Sequence, residues 1–298
     1  MLNFKLIEKS DISDFQKYYD NPEGIALDTN ILSSYLWRNE YNIKFAFHNN
    51  CLIKAYFKDD NSVWGYCLPH GEDIKSAVEA IISDAKDRGQ KPYIVMLTDA
   101  QRVALETMFP AKFNYEFSPQ NQEYIYLTED LINLSGRKFH AKRNHISKFK
   151  KAYPNFKFEE ITALNKENAF NVMLDWCYQN GIDIEHYEEK TAIREALDNM
   201  EDFKMRGGII YVDKKPIAMT LGCELSPIAF DICFEKALRE YEGSYAVINN
   251  EFAKTLSSYK YINREEDMGI EGLKKAKLSY NPILLLARYN ATLRDYEN

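Results

Sequence analysis

Cysteine is scarce and scattered. The five in this 298-residue chain (Cys51, Cys67, Cys177, Cys223 and Cys233) are odd in number, widely spaced and form no CxxC. That spacing excludes a zinc ribbon or a disulfide framework and leaves reduced, mostly buried thiols, with no metal, as the expectation. Long apolar runs are missing too. None approaches the roughly 18–20 residues a bilayer crossing needs, and the opening MLNFKLIEKSDISDF carries charge too early and too often for a secretory leader. A soluble, cytoplasmic protein is expected. Positive charge is not in overall excess: the formal net charge is −7, which excludes indiscriminate nucleic-acid binding through a basic field. No P-loop, GxGxxG, HExxH or Ser-His-Asp ordering is found.

Aromatic residues are plentiful, with 21 Tyr and 17 Phe, which points to sheets and to clefts lined by amphipathic rings. The length suits two domains of about 130–160 residues better than one core. In the first half, FAFHNN and CLIKAYFKDDNSVWGYCLP read as strands with a turn at Asp59-Asp60-Asn61. A helix through Ile74–Ala85, a strand YIVMLT, a helix over Asp99–Met108 and a strand EYIYL follow. The second half has helices in NKENAFNVMLDWCYQNG and EEKTAIREALDNM, with Cys177 on the first reading as core. Strands follow in GGIIYVDKKPIAMTLGCEL and AFDICFEKA, then helices AVINNEFAKTL and IEGLKKAKLSY, and a last strand ILLLARY. Two similar α/β units, 1–133 and 134–298, joined around residues 128–136, fit this order. Ile132-Asn133-Leu134 reads as a linker without site chemistry.

Against that acidic background, GRKFHAKRNHISKFKKAYP (136–154) holds seven Lys/Arg and no acid. Projected as a helix at about 100° per residue, it places Phe139, Ile146, Phe149 and Tyr153 on one core-facing stripe. Lys148 and Lys151 point outward; Arg143 and Lys150 flank the stripe. Lys142 falls inside the apolar arc, where an ammonium must snorkel, meet a carboxylate or face a bound anion. His140 and His145 lie too far apart around the helix to share a metal. A solvated face is one explanation of the run. The lack of interleaved acids for i,i+4 pairing favours contact with an anion instead.

A second dense stretch, NREEDMGIEGLKKAK (263–277), joins an acidic cluster to a basic helix through glycines. Glu265, Glu266 and Asp267 can pair with cations, hold an ammonium or supply a general base. Acids at a helix start and lysines towards its end also suit the macrodipole. The expectation is that these acids face the basic helix across a cleft, with Lys142 as their partner.

The strand–turn–helix AFDICFEKA-REYEGSYA-VINNEFAK resembles the N-acetyltransferase (GNAT) superfamily, whose helix start cradles a pyrophosphate. Gly243 fits that loop as a weak cofactor contact. Tyr245 stands where the pattern has a small residue, and Glu240 and Glu242 would repel an anion. LSGRKFHAKRNHISKFKKAYP and INREEDMGIEGLKKAKLSYNP together resemble the phosphatidylglycerol lysyltransferase C-terminal domain family. That resemblance implies an α/β (α+β) fold of tandem GNAT-like (acyl-CoA N-acyltransferase) domains, two mixed sheets flanked by helices, similar to FemABX-type aminoacyl-tRNA-dependent transferases. The positions matching the family pattern are Lys142, Arg143, Asn144 and His145, then Asn263, Arg264, Glu265, Glu266, Asp267, Gly269, Glu271, Gly272, Lys275 and Lys277. Membrane-embedded members carry a transmembrane region before this domain, and these residues hold none, which leaves a lipid acceptor and a lysine donor open.

The function expected is an aminoacyl- or acyl-transferase, with charged tRNA as donor ahead of acyl-CoA and an unknown amine, hydroxyl or lipid acceptor. Glu265 or Glu266 would serve as base, with Lys142, Arg143 or Lys277 stabilising charge. Arg143, Asn144, His145, Asn263, Arg264, Asp267, Lys275 and Lys277 would bind substrate. Two alternatives are an acyl-CoA-dependent N-acyltransferase and a non-catalytic module holding an anionic partner through the basic helix 137–151.

Overall fold

Short runs of alternating or wholly apolar residues, separated by turns of Asn, Asp and Gly, fold into strands that two sheets collect. The computed structural model describes residues 1–294. The first half carries β1 (Lys5–Leu6), α1 (Ile12–Gln16), α2 (Ile31–Leu36), β2 (Ile43–His48), β3 (Cys51–Phe57), β4 (Val63–Tyr66) and β5 (His70–Gly71). It continues through α3 (Ile74–Asp87), β6 (Tyr93–Leu97), α4 (Asp99–Met108), β7 (Phe113–Phe117), β8 (Glu123–Leu127) and α5 (Thr128–Asn133). The second half runs α6 (His140–Ala152), β9 (Lys157–Glu160), α7 (Lys166–Gln179), α8 (Glu189–Asp198), β10 (Arg206–Val212), β11 (Lys215–Ser226) and β12 (Ala229–Ala237). It ends with α9 (Ser244–Thr255), β13 (Tyr261–Asn263), α10 (Glu271–Leu278), β14 (Leu284–Leu286) and β15 (Tyr289–Leu293). Among the described residues no helix is long and apolar enough to cross a membrane.

The first sheet has the order β1-β2-β3-β4-β6-β15-β7, with β5 beside β3; the second has β9-β10-β11-β12-β13-β8-β14. Each contains one parallel pair, β4 with β6 and β12 with β13, and is otherwise antiparallel. The expected α/β fold of two mixed sheets flanked by helices is therefore what the chain adopts. Read side by side, the two orders match strand for strand, with one exchange. The strand that ends the first half, β8, lies between β13 and β14 of the second sheet. The strand that ends the chain, β15, lies between β6 and β7 of the first. The two repeats follow one another along the chain, yet each sheet is completed by a strand from the other half.

Two details differ from the sequence reading. ILLLARY is not one strand: β14 and β15 lie in different sheets, and Arg288 sits at the crossing between them. Ile132 and Asn133 close the helix α5 rather than forming a linker, and Leu134 caps it in the left-handed conformation (φ 47°).

The crossing is held by charge. Arg288 is 4% exposed and Glu123 is 1% exposed. The guanidinium donates from Nε to Glu123 Oε1 at 2.7 Å, from Nη2 to the same oxygen and to Asp28 Oδ1 at 3.2 Å, and from Nη1 to the Met96 carbonyl at 2.7 Å. Burial alone would lift Asp28, but Arg288 holds its carboxyl well below the ordinary range. An apolar cluster then joins the halves: Phe45 and Leu52 of the first sheet and Leu32 of α2 pack with Ile193 of α8 and Ile209 and Leu221 of the second sheet. At its rim Arg38 bridges Glu195 with two 2.9 Å bonds.

Two outcomes test this architecture. Arg288→Met strands a buried carboxylate and should cost about 3–5 kcal/mol, seen as a lower urea midpoint. The Arg288→Met/Glu123→Gln double variant should cost less than the sum of the singles; simple additivity would show the two are not coupled. Fragments 1–133 and 134–298 should each fail to fold alone, since each sheet then lacks an interior strand, and should recover native circular dichroism when mixed. A fragment that folds cooperatively by itself would contradict mutual completion.

Candidate active site

The parallel pair β12/β13 is short. Its register runs Ala229–Tyr261, Phe230–Ile262, Asp231–Asn263 and then stops, although β12 continues to Ala237. Beyond Asn263 the chain stays with β8: Arg264 N donates to the Tyr124 carbonyl and Tyr124 N to the Glu265 carbonyl, at 3.0 and 3.1 Å. The backbone ladder therefore has a gap between β12 and residues 264–266. Glycine at 222 permits the strands to close up behind it, since a Cβ there would lie 1.9 Å from the Asp231 carbonyl oxygen.

Asn263, fully buried, sets the shape of the loop. Its Nδ2 donates to Glu123 Oε2 at 2.6 Å and to the Ile25 carbonyl at 2.9 Å, while its Oδ1 accepts from Glu265 N at 2.7 Å. That last bond holds Glu265 at φ 55°, a conformation non-glycine residues adopt only when the surroundings impose it. Asp267 closes the turn, accepting from the Tyr124 hydroxyl and from Gly269 N at 2.8 Å. Its part is to shape the loop.

Two carboxylates follow on this loop. Glu265 and Glu266 are half-buried and have no ion-pair partner among the described residues. Burial pushes Glu265 up, reinforced by Asp231 and Glu266 and opposed by Lys277. Glu266 is raised by burial as well, with Glu123 adding and Lys277 opposing. Lys277 is 8% exposed and donates to the Glu266 carbonyl oxygen. Burial lowers its ammonium, against the pull of Glu265.

A second group of charges surrounds Arg264. Arg264 donates from Nη2 to Glu235 Oε1 at 2.8 Å, and its Nη1 is buried without a hydrogen-bond partner among the described residues. Lys142 sits 3.7 Å above the Tyr280 ring. Burial lowers it to about 8, the neighbouring Arg264 adds to that, and Glu235 pulls the other way. Two cations thus share one carboxylate in a largely desolvated place, which favours an incoming anion.

The basic helix behaves as projected. Phe139 and Phe149 are fully buried, Ile146 and Tyr153 partly so, and Lys148 and Lys151 are exposed. The expected pairing of Lys142 with the acidic cluster is corrected. Lys277 is the cation beside Glu265 and Glu266, because α10 folds back over its own acidic loop, while Lys142 meets Tyr280, Arg264 and Glu235. Arg143 turns away from the gap and donates to the Leu134 and Gly136 carbonyls. With Ile132, Asn133, Lys150 and Asn250 it borders a separate surface hollow of about 340 Å³. Asn144, His145 and Lys275 are exposed, Asn144 lying 3.4 Å from His140 Nδ1. Gly243 packs against α6: a Cβ there would lie 2.6 Å from the His145 carbonyl oxygen. The close approach that glycine allows is taken by protein backbone.

Glu123, Asp231, Glu235 and Arg288 were not singled out from the sequence. Each had a signal: charged residues in the apolar runs EYIYL, AFDICFEKA and ILLLARY must be paired or functional.

Two mixed sheets of matching strand order, each completed by a strand from the other half and flanked by helices, define an α/β protein built from a repeated unit. Residues 28–292 match the model of the family described as phosphatidylglycerol lysyltransferase, C-terminal, and the chain belongs to that family. A conserved protein of unknown function from Bacteroides thetaiotaomicron is 34% identical, with a TM-score of 0.90 over 99% of this chain and 100% of that one. The C-terminal domain of a putative lysylphosphatidylglycerol synthetase from Agrobacterium fabrum shares the fold at 11% identity, with a TM-score of 0.68 over 96% and 92% of the two chains. FemX does so at 9% identity, with a TM-score of 0.60 over 97% of each.

One consequence concerns Lys142. Its folded value lies below the ordinary 10.5, so the unfolded chain holds that proton more tightly. The cost is full below about pH 8 and is relieved as pH rises towards 10.5. Lys142→Met should therefore raise the melting temperature more at pH 7 than at pH 9.5. An equal gain at both would show that the ammonium carries no penalty.

Proposed function

We propose that the protein is an aminoacyltransferase, moving an aminoacyl group from charged tRNA to an amine, hydroxyl or lipid acceptor. The observation that carries this reading is the charge gathered at this break in the sheet: Lys142 and Arg264 share Glu235, while Glu265 and Glu266 have no ion-pair partner among the described residues. An aminoacyl-tRNA end has the matching polarity, with phosphate beside an ester and an α-ammonium beyond it. Lys142 and Arg264 would take the terminal phosphate, and a carboxylate would hold the ammonium.

The acceptor's nitrogen or oxygen attacks the ester carbonyl and forms the new bond. Its proton passes to Glu265 or Glu266, and the ribose oxygen leaves and takes up a proton. Positioning, and charge stabilisation in a site poor in water, supply most of the acceleration.

The turn before α9 favours tRNA over acyl-CoA. Glu240 and Glu242 stand at that helix start, tied to Lys215 at 3.0 Å and Lys148 at 3.5 Å. They oppose a pyrophosphate where its helix-dipole stabilisation would arise.

The test is incubation with a mixture of labelled aminoacyl-tRNAs and a cell extract, following label that leaves tRNA. Transfer should exceed spontaneous hydrolysis. Glu266→Gln and Lys142→Met should each slow it by about 10²-fold or more, while Lys148→Glu/Lys151→Glu on the exposed face should leave the chemical step intact. Consumption of acyl-CoA instead would favour that donor. Binding of an anionic partner with no turnover, abolished by the Lys148/Lys151 reversals, would indicate a docking module.

A further inference from the structure

We propose that Cys223, Asp231 and Cys233 form a binding site for a thiophilic divalent cation, zinc in the first instance. The placement follows from strand register. Cys223 of β11 lies directly across from Asp231 of β12. Leu221 then pairs with Phe234 and Gly222 with Ile232, so Cys233 is the extra residue of a β-bulge. Freed from the ladder, it turns its sulfur to the same side as Asp231.

The distances suit a tetrahedral ion. Cys223 Sγ and Cys233 Sγ are 4.0 Å apart, and Cys233 Sγ is 3.3 Å from Asp231 Oδ2. One ligand atom from each of the three residues lies within 4.8 Å of the others. With zinc–sulfur bonds of about 2.3 Å and zinc–oxygen bonds of about 2.0–2.2 Å, tetrahedral edges come to about 3.8 Å for S···S and about 3.5 Å for S···O. Two of the edges match to within a few tenths of an ångström, and the third, from Cys223 to Asp231, lies within 4.8 Å and would shorten as an ion drew the ligands together.

A separate observation points to a ligand. Asp231 is 1% exposed, and its Oδ1 is buried with no hydrogen-bond partner among the described residues. A buried carboxylate oxygen left unpaired is costly, and a cation would satisfy it. Three protein ligands leave a fourth vertex for water or another group, and two thiolates favour zinc over magnesium or calcium.

The full chain, reduced and stripped with a chelator, is titrated with Zn²⁺ against a chromophoric chelator and, separately, with Co²⁺. One equivalent should bind, Co²⁺ giving a near-ultraviolet thiolate charge-transfer band, and Zn²⁺ should raise the melting temperature. Cys223→Ser, Cys233→Ser and Asp231→Asn should each weaken binding by about a hundredfold or more, while a Cys51→Ser/Cys67→Ser/Cys177→Ser variant should bind as the parent does. Circular dichroism on each variant separates lost ligation from lost folding, and Asp231→Asn, which preserves side-chain size, serves if a cysteine variant unfolds. The proposal is overturned by no stoichiometric binding, by binding insensitive to all three substitutions, or by a Cys223–Cys233 disulfide forming in the metal's place.

Discussion

The buried contact between Arg288 and Glu123 is the constraint on which most of this structure depends. Arg288 precedes β15 and Glu123 opens β8, so the pair stands where the two halves trade their last strands. A buried ion pair stabilises little by comparison with well-packed apolar groups, but it severely penalises every arrangement that leaves one partner alone. Here that penalty falls on any register in which β8 or β15 returns to its own half.

The same contact reaches the candidate site. Glu123 uses one oxygen for Arg288 and the other for Leu27 N and the Asn263 amide. Asn263 in turn holds the backbone of Glu265 in its left-handed conformation. The chain from strand exchange to the orientation of a half-buried carboxylate therefore passes through three side chains. A gap flanked by charge can remain rigid because the groups behind it are pinned by both halves of the molecule.

Periodicity made much of the local structure legible. Apolar spacing located α3 and α4 and the stripe of Phe139, Ile146, Phe149 and Tyr153, because those patterns report how a helix must face its core. It also isolated Lys142 as the misplaced member of a basic run. Partner choice was not legible. EYIYL announces a strand, but nothing local says which sheet receives it, and the same holds for the residues after Arg288. Lys142 was assigned to the wrong partners for that reason: helical projection shows that a side chain points inward and is silent about what waits there. Asp231 and Glu235 escaped notice because AFDICFEKA was read only as the strand leading into the turn before α9.

By itself the sequence determined the element types, the family resemblance, the inward lysine and the acidic loop, since each follows from local spacing and composition. The tertiary structure decided which strands complete which sheet, that Lys277 rather than Lys142 faces the acids, and that Cys223, Asp231 and Cys233 converge. Those outcomes rest on contacts between residues far apart in the chain, whose energies depend on burial and register that no local pattern encodes.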